Sequence, residues 1–508
     1  MATNGSAVIT ALNALTSDVL LAFLGKQRWY AAKSATNAKA RVADFVVLPW
    51  GDGAFAIARI GIAAGAGAEQ FYQVPVAIGD YDGNVPENGI VAHLELDGRR
   101  VALIDAVHDA SLRLALARAI AVGATARTND LTWEAAPAAG SSWALTDQTP
   151  TRLGAAEQSN TSIIIGDAAI LKLFRLIKRG VHPDVEVTSF LTTRAAFENT
   201  PALIGHMSLG DSSGTSTLGM MQEFLSGSSD AWSYTLERGA PYFAAPPSRD
   251  APNEFLADAK QLGVVTRAMH EALASDDDNP DFAPEPATHE DIDRWAHRTQ
   301  QAIRDALALL EQRLTSADFP KERVPEAQAL VRRGAHYAGW VDEIDDTLDD
   351  DLGMCTRVHG DYHLGQVLRT KSGEFMVIDF EGEPSRSLDE RREKTSPLRD
   401  VAGMLRSFAY AAATLAMSTS AKIDQPTREL RAARWERDVR AAYLEGYLGS
   451  AEERDDSPGV LPEEEPHVRQ LIALFEMEKA FYELAYELNN RPAWAWIPMR
   501  GIAKLAMR

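Results

Sequence analysis

The chain has 508 residues, of which 45% are hydrophobic and 24% charged, and this length predicts two or three domains or subdomains. The net charge of −21 argues against non-specific binding to nucleic acid or to an anionic membrane, because both need a basic surface. The single cysteine, Cys355, cannot form an internal disulfide. No secretory leader and no apolar run of bilayer length are recognisable, so we expect a cytoplasmic protein.

Residues from about Asn37 to Gly79 alternate between apolar and polar side chains in the manner of strands. A helix is predicted over Val8–Leu24, ahead of three strands in VADFVVLPW, GAFAIARIGIA and EQFYQVPVAIG. Glycine-rich turns separate these runs, which favours an antiparallel sheet. A further strand in GRRVALIDAV leads into a helical run over Ser111–Val122.

A second group of strands is predicted from about Thr151. The segment SIIIGDAAILKLF has apolar runs on both sides of Gly166 and Asp167, which predicts a hairpin with a two-residue turn. A helix is expected from Pro183, followed by a buried strand in TSTLGMMQEFL. The Gly/Ser-rich stretch Ser226–Asp230 then marks a hinge.

Beyond the hinge the pattern is mainly helical. Helices are expected at about Asn253–Ala274, Glu290–Arg313, Pro325–Ile344, Pro397–Met417, Thr427–Gly446 and Pro466–Asn490. The sequence thus predicts an α+β protein, with two sheets followed by a helical region.

A lysine in the second group of strands is a candidate phosphate ligand. Lys172 lies in the apolar strand AAILKLF, where its charge is costly unless a partner or ligand neutralises it. Glu186 in the next helix is the candidate partner, although a snorkelling lysine and a solvated glutamate are equally consistent with the pattern. The preceding loop contains candidates for binding phosphate through hydroxyl, amide and main-chain N–H groups. They are Ser159, Asn160, Thr161 and Ser162.

The most specific segment is RVHGDYHLGQVLRTKSGEFMVIDFEGEP. Protein kinases place an aspartate five residues before an asparagine, and a later aspartate in Asp-Phe-Gly, around the transferred phosphate. Here Asp361 is followed by Gln366, and a predicted hairpin at Lys371–Gly373 returns Asp379 to the side of Gln366. Amide and carboxylate oxygens are ligands that Mg²⁺ prefers. Glu381 is a further candidate at this site.

Two other classes of protein fit parts of this segment. His359 and His363 have the spacing of some zinc sites, but Gly360 disfavours a continuous helix and no cysteine cluster lies nearby. His359 is better explained as a residue that orients the loop by hydrogen bonds. A pseudokinase is expected to lack the lysine, the base or the magnesium ligands, and candidates for all of them are present.

The segments HGDYHLGQVLR, DFEGEP and SPLRDVAGMLRSFAYAA together resemble the actinobacterial maltokinases, relatives of aminoglycoside phosphotransferases. QRWYAAKS resembles that family's N-terminal cap, EQSNTSIIIGDAAILKLFR its nucleotide lobe, and MEKAFYELAYELNNRPAWAWIPMRGI its C-terminal signature. The resemblance implies a bilobal fold like that of eukaryotic protein kinases. It also implies a cap at 1–90, a nucleotide-binding lobe at 91–225 and a helical lobe at 226–508.

The resemblance further implies transfer of phosphate from ATP, with Mg²⁺, to the anomeric hydroxyl of maltose, for α-glucan synthesis. Asp361 is then the catalytic base, with Gln366 and Asp379 on Mg²⁺ and Lys172, backed by Glu186, on the nucleotide phosphates. Main-chain atoms near adenine would come from Gln222, Glu223 and Phe224.

The acceptor sugar is expected beside Asp361 in the helical lobe. Its candidate ligands are His363, Glu381, Lys479, Tyr486, Glu487, Asn490 and Arg491. Trp494 and Trp496 either stack on sugar rings or pack onto the core, while Arg399 and Asp400 either pair with each other or line the site. Glucosamine or another sugar is the alternative acceptor, and an aminoglycoside ranks third. A trehalose-processing enzyme is a candidate partner of the cap.

Overall fold

The structure is a computed structural model that describes residues 4–33, 37–50, 55–65, 68–80, 85–96, 98–154, 159–245, 252–348, 351–384, 386–418, 423–449 and 459–505. The chain forms two compact units. The first contains Met1–Arg194 and Pro201–Ser226, and the second contains Ala195–Thr200 and Gly227–Arg508. The boundary after Ser226 coincides with the hinge predicted from the Gly/Ser-rich stretch.

The first unit contains four helices and two antiparallel sheets within the described residues. Its helices are α1 (Asn4–Asn13), α2 (Ser17–Gly25), α3 (Ala110–Val122) and α4 (Pro183–Thr193). Its strands are β1 (Lys39–Val47), β2 (Phe55–Ala63), β3 (Gln70–Asp80), β4 (Ile90–Leu96), β5 (Arg99–Asp105), β6 (Thr125–Thr128), β7 (Leu131–Pro137), β8 (Thr151–Leu153), β9 (Asn160–Ile165), β10 (Ala169–Phe174), β11 (Leu176–Ile177), β12 (Leu203–Asp211) and β13 (Gly214–Glu223).

The N-terminal sheet has the order β1-β2-β3-β5-β4, with β11 paired to β3. It therefore continues to Asp105, past residue 90, where the sequence interpretation ends the cap. The predicted single helix Val8–Leu24 is wrong, because the chain breaks into α1 and α2 at Thr16, which is extended and precedes α2. No single helix in the described parts of the chain is long and apolar enough to cross a membrane, and α1 with α2 meets that criterion only as a pair bent by 98°.

The second sheet has the order β6-β7-β12-β13-β10-β9-β8. It begins with β6 and β7, ahead of the start near Thr151 that the sequence pattern suggests. The β9–β10 hairpin is confirmed, but its loop has three residues, because Ala169 pairs with Ile165. Gly166 opens this loop with a positive φ of 56°, which glycine adopts without strain. Apolar side chains from α3 and from both sheets share one core.

The second unit is mainly helical. Its helices are α5 (Ala231–Ala244), α6 (Leu256–Leu273), α7 (His289–Arg313), α8 (Val324–Arg332), α9 (Gly334–Thr347), α10 (Leu388–Arg392), α11 (Leu398–Ser418), α12 (Gln425–Leu448), α13 (Glu465–Asn490) and α14 (Trp496–Leu505). Its short strands are β14 (Ser229–Asp230), β15 (Glu285–Pro286), β16 (Met354–Cys355), β17 (Val367–Arg369) and β18 (Phe375–Val377). The helix predicted over Pro325–Ile344 is two helices, α8 and α9, and α5 and α14 were not predicted.

Two features of the second unit position the candidate site. The hairpin of β17 and β18 confirms the turn predicted at Lys371–Gly373, and its last strand leads to Asp379. The buried helix α11 begins close to the loop that carries Asp361, and α13 runs beside α11. The loop, the hairpin and these two helices therefore converge on one region.

Candidate active site

The loop that carries Asp361 is held by hydrogen bonds to buried groups. The Asp400 carboxylate accepts the main-chain N–H groups of His359 at 2.7 Å and of Gly360 at 2.9 Å. The His359 ring is also buried, and its Nε2 lies 2.9 Å from the carbonyl oxygen of Ile378. Its Nδ1 accepts the N–H of Asp361 at 3.3 Å. His359 thus joins the Asp361 loop to the segment before Asp379, in agreement with the orienting role proposed for it.

The β17–β18 hairpin brings Gln366 and Asp379 to neighbouring positions. The carbonyl oxygen of Gln366 accepts the N–H of Ile378 at 3.0 Å, one residue before Asp379. Asp379 itself has a φ of +64°, a conformation that is uncommon outside glycine and that occurs at functional sites. Gly382 lies against the Asp361 loop, since a Cβ added at Gly360 would be 3.2 Å from the Gly382 Cα. The predicted convergence of Asp361, Gln366 and Asp379 is therefore consistent with the main-chain geometry.

The hairpin offers a carboxylate and a side-chain amide to a cation. Both are hard oxygen donors, and this chemistry fits Mg²⁺ better than zinc, which is usually bound by histidine or cysteine. His363 does not add a zinc-like arrangement with His359. Its Nδ1 accepts the N–H of Gly365 at 3.0 Å at the start of a short 3-10 helix, and its Nε2 lies 4.0 Å from Asp361.

A cavity of about 140 Å³ opens beside Asp361 in the second unit. Its wall comes from the Asp361 loop, the segment after Asp379, and helices α7, α11 and α13. The charged lining residues are Asp361, Glu383, Arg386, Arg399, Asp400, Glu478 and Lys479. Glu383, Arg386 and Glu478 were not identified as candidates from the sequence, because their roles depend on a partner that is distant in the chain.

Lys479 connects the candidate base to a buried acid. Its Nζ lies 3.2 Å from Asp361 Oδ1 and 2.8 Å from Glu383 Oε1. Burial alone would lower the pKa of Lys479, but Glu383 and Asp361 outweigh it and raise that pKa well above its ordinary value. Burial would raise the pKa of Glu383, but Lys479 and Arg386 lower it to about 2. Lys479 and Glu383 are therefore both charged at neutral pH.

The remaining charges of the cavity are also paired. Arg399 binds Glu478 through two nitrogens, at 3.0 and 2.8 Å, and Arg386 donates to Glu383 at 2.9 Å. Arg399 therefore pairs with Glu478 on α13, while its neighbour Asp400 accepts hydrogen bonds from the Asp361 loop. Both residues line the cavity, as one of the two interpretations from the sequence proposed.

The other candidates on the C-terminal helix lie away from this cavity. Of the predicted sugar ligands on α13, Lys479 alone lines it, together with Tyr482. Glu487 is buried and accepts hydrogen bonds from Tyr410 at 3.1 Å and from Arg491 at 2.6 Å. Asn490 donates to the carbonyl oxygen of Tyr486, whose side chain is exposed. Tyr486, Glu487 and Asn490 thus lie in the last turn of α13, and Arg491 follows it. The assignment of these four residues to the sugar stays a prediction.

The two tryptophans after α13 lie beside arginines rather than in the cavity lining. The Arg491 guanidinium is 5.1 Å from the Trp494 ring, and Arg323 and Arg500 are 5.1 and 5.3 Å from the Trp496 ring. Trp496 belongs to a second, alanine-rich cavity between α11, α12 and α14. Both rings therefore have arginine neighbours, and their stacking on a sugar ring stays a prediction.

In the first unit, Lys172 is paired with an acid that sequence reasoning missed. Its Nζ lies 3.1 Å from Asp184 Oδ2, and both side chains are largely buried, with 13% and 3% exposed. Asp184 stands in the first turn of α4, two residues before Glu186. Lys172 is therefore a neutralised strand lysine, as expected, while the role of Glu186 stays a prediction.

The polar residues of β9 divide between the two faces of the second sheet. Asn160 and Ser162 pair directly with Phe174 and Lys172 on β10, so they share a face with Lys172. Thr161 lies on the opposite face, where its hydroxyl accepts a hydrogen bond from Arg175 at 2.8 Å. Ser159 precedes the strand, and 155–158 lie outside the described residues. Asn160 and Ser162 are thus better placed for phosphate than Thr161.

The end of β13 was proposed to contact adenine, but some of its main-chain groups already form hydrogen bonds within the first unit. The N–H of Glu223 donates to the carbonyl oxygen of Ala202, and that of Phe224 donates to Ala168, both at 2.9 Å. Gln222 pairs with Ile170 on β10. Other main-chain atoms of this segment would have to contact the adenine. The assignment of Gln222, Glu223 and Phe224 to adenine therefore stays a prediction.

Comparison with known proteins finds similarity to sugar kinases. Residues 23–109 match the maltokinase N-terminal cap domain. A glucosamine kinase of Streptacidiphilus jiangxiensis is 25% identical over 356 residues, which are 69% of this chain and 72% of that protein. A glucosamine kinase of Mycolicibacterium smegmatis is 25% identical over 372 residues, which are 72% of this chain and 82% of that protein.

The fold is that of a solved glucosamine kinase in complex with glucosamine, ADP and inorganic phosphate. The two chains superpose with a TM-score of 0.64 at 20% identity, over 97% of this chain and 98% of the other. The predicted α+β fold of the protein-kinase type, with an N-terminal cap and a mainly helical C-terminal part, is confirmed. The resemblance found in the sequence is confirmed too, since residues 23–109 match the maltokinase N-terminal cap domain and the chain is similar to glucosamine kinases.

Proposed function

We propose that this protein transfers the terminal phosphate of ATP to the anomeric hydroxyl of maltose and forms maltose 1-phosphate. The chain is an ATP-dependent phosphotransferase that acts on a sugar hydroxyl, in keeping with its similarity to glucosamine kinases. The observation that carries the proposal is the cavity beside Asp361. In this cavity Lys479 forms an ion pair with Asp361, the candidate base, and a second ion pair with Glu383.

Asp361 is the general base of the proposed reaction. It lies at the cavity wall with 22% of its side chain exposed, so a sugar hydroxyl can reach its carboxylate. As the hydroxyl oxygen attacks the terminal phosphorus, its proton passes to Asp361 and the bond to ADP breaks. Lys479 orients the Asp361 carboxylate, because its ammonium donates a hydrogen bond to Oδ1 at 3.2 Å.

Gln366 and Asp379 are the residues of the second unit that would hold Mg²⁺. The cation supplies charge neutralisation for the phosphates when it is bound. In the first unit, Lys172 is the residue that would contact the nucleotide phosphates, with Asp184 fixing its side chain at 3.1 Å. Asn160 and Ser162 share the Lys172 face of the sheet and are the accompanying polar groups.

The paired charges of the cavity favour a neutral sugar over an amino sugar. Glu383 is bound by Lys479 and Arg386, and Glu478 is bound by Arg399. Asp400 accepts two main-chain N–H groups. The ammonium of an amino sugar would therefore gain little from these carboxylates, because they already have donors, although the lining holds four carboxylates against three cations. Hydroxyl groups, in contrast, can donate to the remaining lone pairs of these carboxylates without adding charge.

Glucosamine is the second candidate acceptor, and the names of the relatives favour it. Two glucosamine kinases share 25% of their residues with this chain over more than 350 positions. At this identity a change of acceptor within one fold is common, because function depends on the site rather than on the fold. The two candidates differ in charge, and an experiment can separate them on that basis.

The test measures ADP release by the purified protein with ATP, Mg²⁺ and a panel of acceptors. Maltose, glucose, glucosamine, trehalose and kanamycin are compared at equal concentration, and ³¹P NMR identifies the product. We expect maltose to give the highest kcat/KM and an anomeric phosphate. A preference for glucosamine would replace maltose by the second candidate. If no sugar accelerates ADP formation, the proposed reaction is wrong. The cytoplasmic location and the trehalose-processing partner stay predictions.

A further inference from the structure

Two helices behind the Asp361 loop approach each other very closely. A Cβ added to Gly263 on α6 would lie 2.1 Å from the carbonyl oxygen of Tyr443, and one added to Gly446 on α12 would lie 2.0 Å from that of Lys260. Any side chain at either glycine would push the helices apart. The close approach brings the polar residues of the neighbouring turns into hydrogen-bond distance.

The first set of hydrogen bonds leads to the residues just before Asp361. His270 on α6 is fully buried, with its Nδ1 2.9 Å from the Tyr447 hydroxyl and its Nε2 3.2 Å from the Asp400 carboxylate. A carboxylate accepts only, so Nε2 carries a proton, and in the neutral ring Tyr447 donates to Nδ1. Asp400 in turn accepts the N–H groups of His359 and Gly360.

The second set leads to the residue just after Asp361. The Tyr362 hydroxyl lies 3.0 Å from Thr266 Oγ1, and Tyr443 donates to the same oxygen at 3.2 Å. Thr266 donates its own proton to the carbonyl oxygen of Leu262, so its oxygen accepts from both tyrosines.

These six residues form one buried polar layer, which we call the loop anchor. It consists of Thr266, His270, Tyr362, Asp400, Tyr443 and Tyr447, each at most 2% exposed. Burial raises the pKa of Tyr362, Tyr443 and Tyr447, so their hydroxyl groups are protonated donors at neutral pH. A Cβ at Gly403 would lie 2.6 Å from the Tyr362 carbonyl oxygen, which shows how closely the loop lies on α11.

We propose that the loop anchor positions the Asp361 carboxylate for catalysis, with His270, Tyr443 and Tyr447 as positioning residues that do not line the sugar cavity. The inference rests on the proposed function and deepens it. Asp361 lies between two tied segments, 359–360 and 362, so neither neighbour can shift without breaking a hydrogen bond. Apolar side chains would fill the same space, but they would not fix the loop by directional bonds. Displacement of a catalytic group by about 1 Å is enough to reduce a rate about 100-fold.

The test removes one hydroxyl on each side of Asp361. In Tyr362→Phe and Tyr447→Phe we expect kcat to fall about 10-fold each, and in the double variant about 100-fold, with both KM values within about two-fold of the wild type. Tyr337→Phe is the matched control, because Tyr337 is a tyrosine of α9 with 1% exposure that packs against Phe481. Equal kcat losses in the control and in the two variants would overturn the proposal, as would a loss confined to KM.

A second measurement does not depend on activity. Hydrogen–deuterium exchange of the wild type and the Tyr variants follows the main-chain N–H groups of 359–362. We expect faster exchange there in Tyr447→Phe and in Tyr362→Phe, but not in Tyr337→Phe. His270→Gln retains a donor to Asp400 and should keep both kcat and protection better than His270→Leu. Unchanged exchange in the Tyr variants would overturn the loop anchor, whereas a wild type that is inactive on every sugar would overturn only the proposed function.

Discussion

Replacing Glu383 by glutamine removes a carboxylate that Lys479 and Arg386 contact at 2.8 and 2.9 Å. These two cations hold the pKa of Glu383 at about 2 in the folded chain, against an ordinary value of 4.5. A lowered pKa contributes stability above the ordinary pKa, and this contribution disappears as the pH falls towards the folded pKa. The difference between 4.5 and about 2 corresponds to roughly 3 kcal/mol at neutral pH.

We therefore expect Glu383→Gln to lower the free energy of unfolding by about 3 kcal/mol at pH 7 and by less than half as much at pH 3. Urea unfolding followed by tryptophan fluorescence at both pH values measures the difference. Glu322→Gln, which changes an exposed glutamate, is the control. If Glu383→Gln is as stable as the wild type at pH 7, or if its deficit is the same at pH 3, the proposed charge pairing in the cavity is wrong.

Three kinetic predictions concern the other parts of the site. Lys172→Met should raise the KM for ATP at least 10-fold and leave the KM for sugar within about two-fold, and the reverse pattern would contradict its place on the nucleotide. Asp379→Asn should weaken binding of Mg·ATP in calorimetry as well as lowering kcat, and unchanged binding would refute its role as a metal ligand. Lys479→Met should raise the KM for sugar at least 10-fold, and by more than Arg491→Ala does, because Lys479 lines the cavity beside Asp361. A larger effect at Arg491 would move the acceptor site towards the end of α13.

The order of elements was predictable where local pattern and local chemistry agree. The β17–β18 hairpin has a short turn between two apolar runs, and the structure places it there. The hinge after Ser226 follows from composition, because glycine and serine disfavour a packed element. The break between α1 and α2 was missed, although Thr16, Ser17 and Asp18 interrupt the apolar run with residues that are typical of a helix start.

The sequence does not determine which acid of α4 forms an ion pair with Lys172. Asp184 and Glu186 both belong to the first turn of α4, and two helical residues point about 200° apart. How close each of them comes to the strand depends on how the helix is rotated against the sheet. That rotation is a tertiary property, so a pattern of charged residues does not determine it.

The sugar candidates on α13 illustrate a limit of helical periodicity. Lys479, Tyr486 and Glu487 were grouped because they recur at helical spacing, and Asn490 and Arg491 were added for their hydrogen-bonding groups. Lys479 and Asn490 are eleven residues apart, however, or about 16 Å along the axis of α13. One small cavity cannot include both ends of that distance. Glu383, Arg386 and Glu478 were missed for the opposite reason, since their ion pairs join segments that are up to a hundred residues apart.

The central claim is that Asp361 accepts the proton of the sugar hydroxyl in the cavity that Lys479 lines. Asp361→Asn keeps the shape of the side chain but removes its basicity, so we expect kcat for the preferred sugar to fall about 100- to 10,000-fold. Binding of ADP and of the sugar, measured by calorimetry on the same protein, should remain within about five-fold of the wild type. An Asp361→Asn protein that phosphorylates sugar at a near-normal rate would show that Asp361 is not the general base.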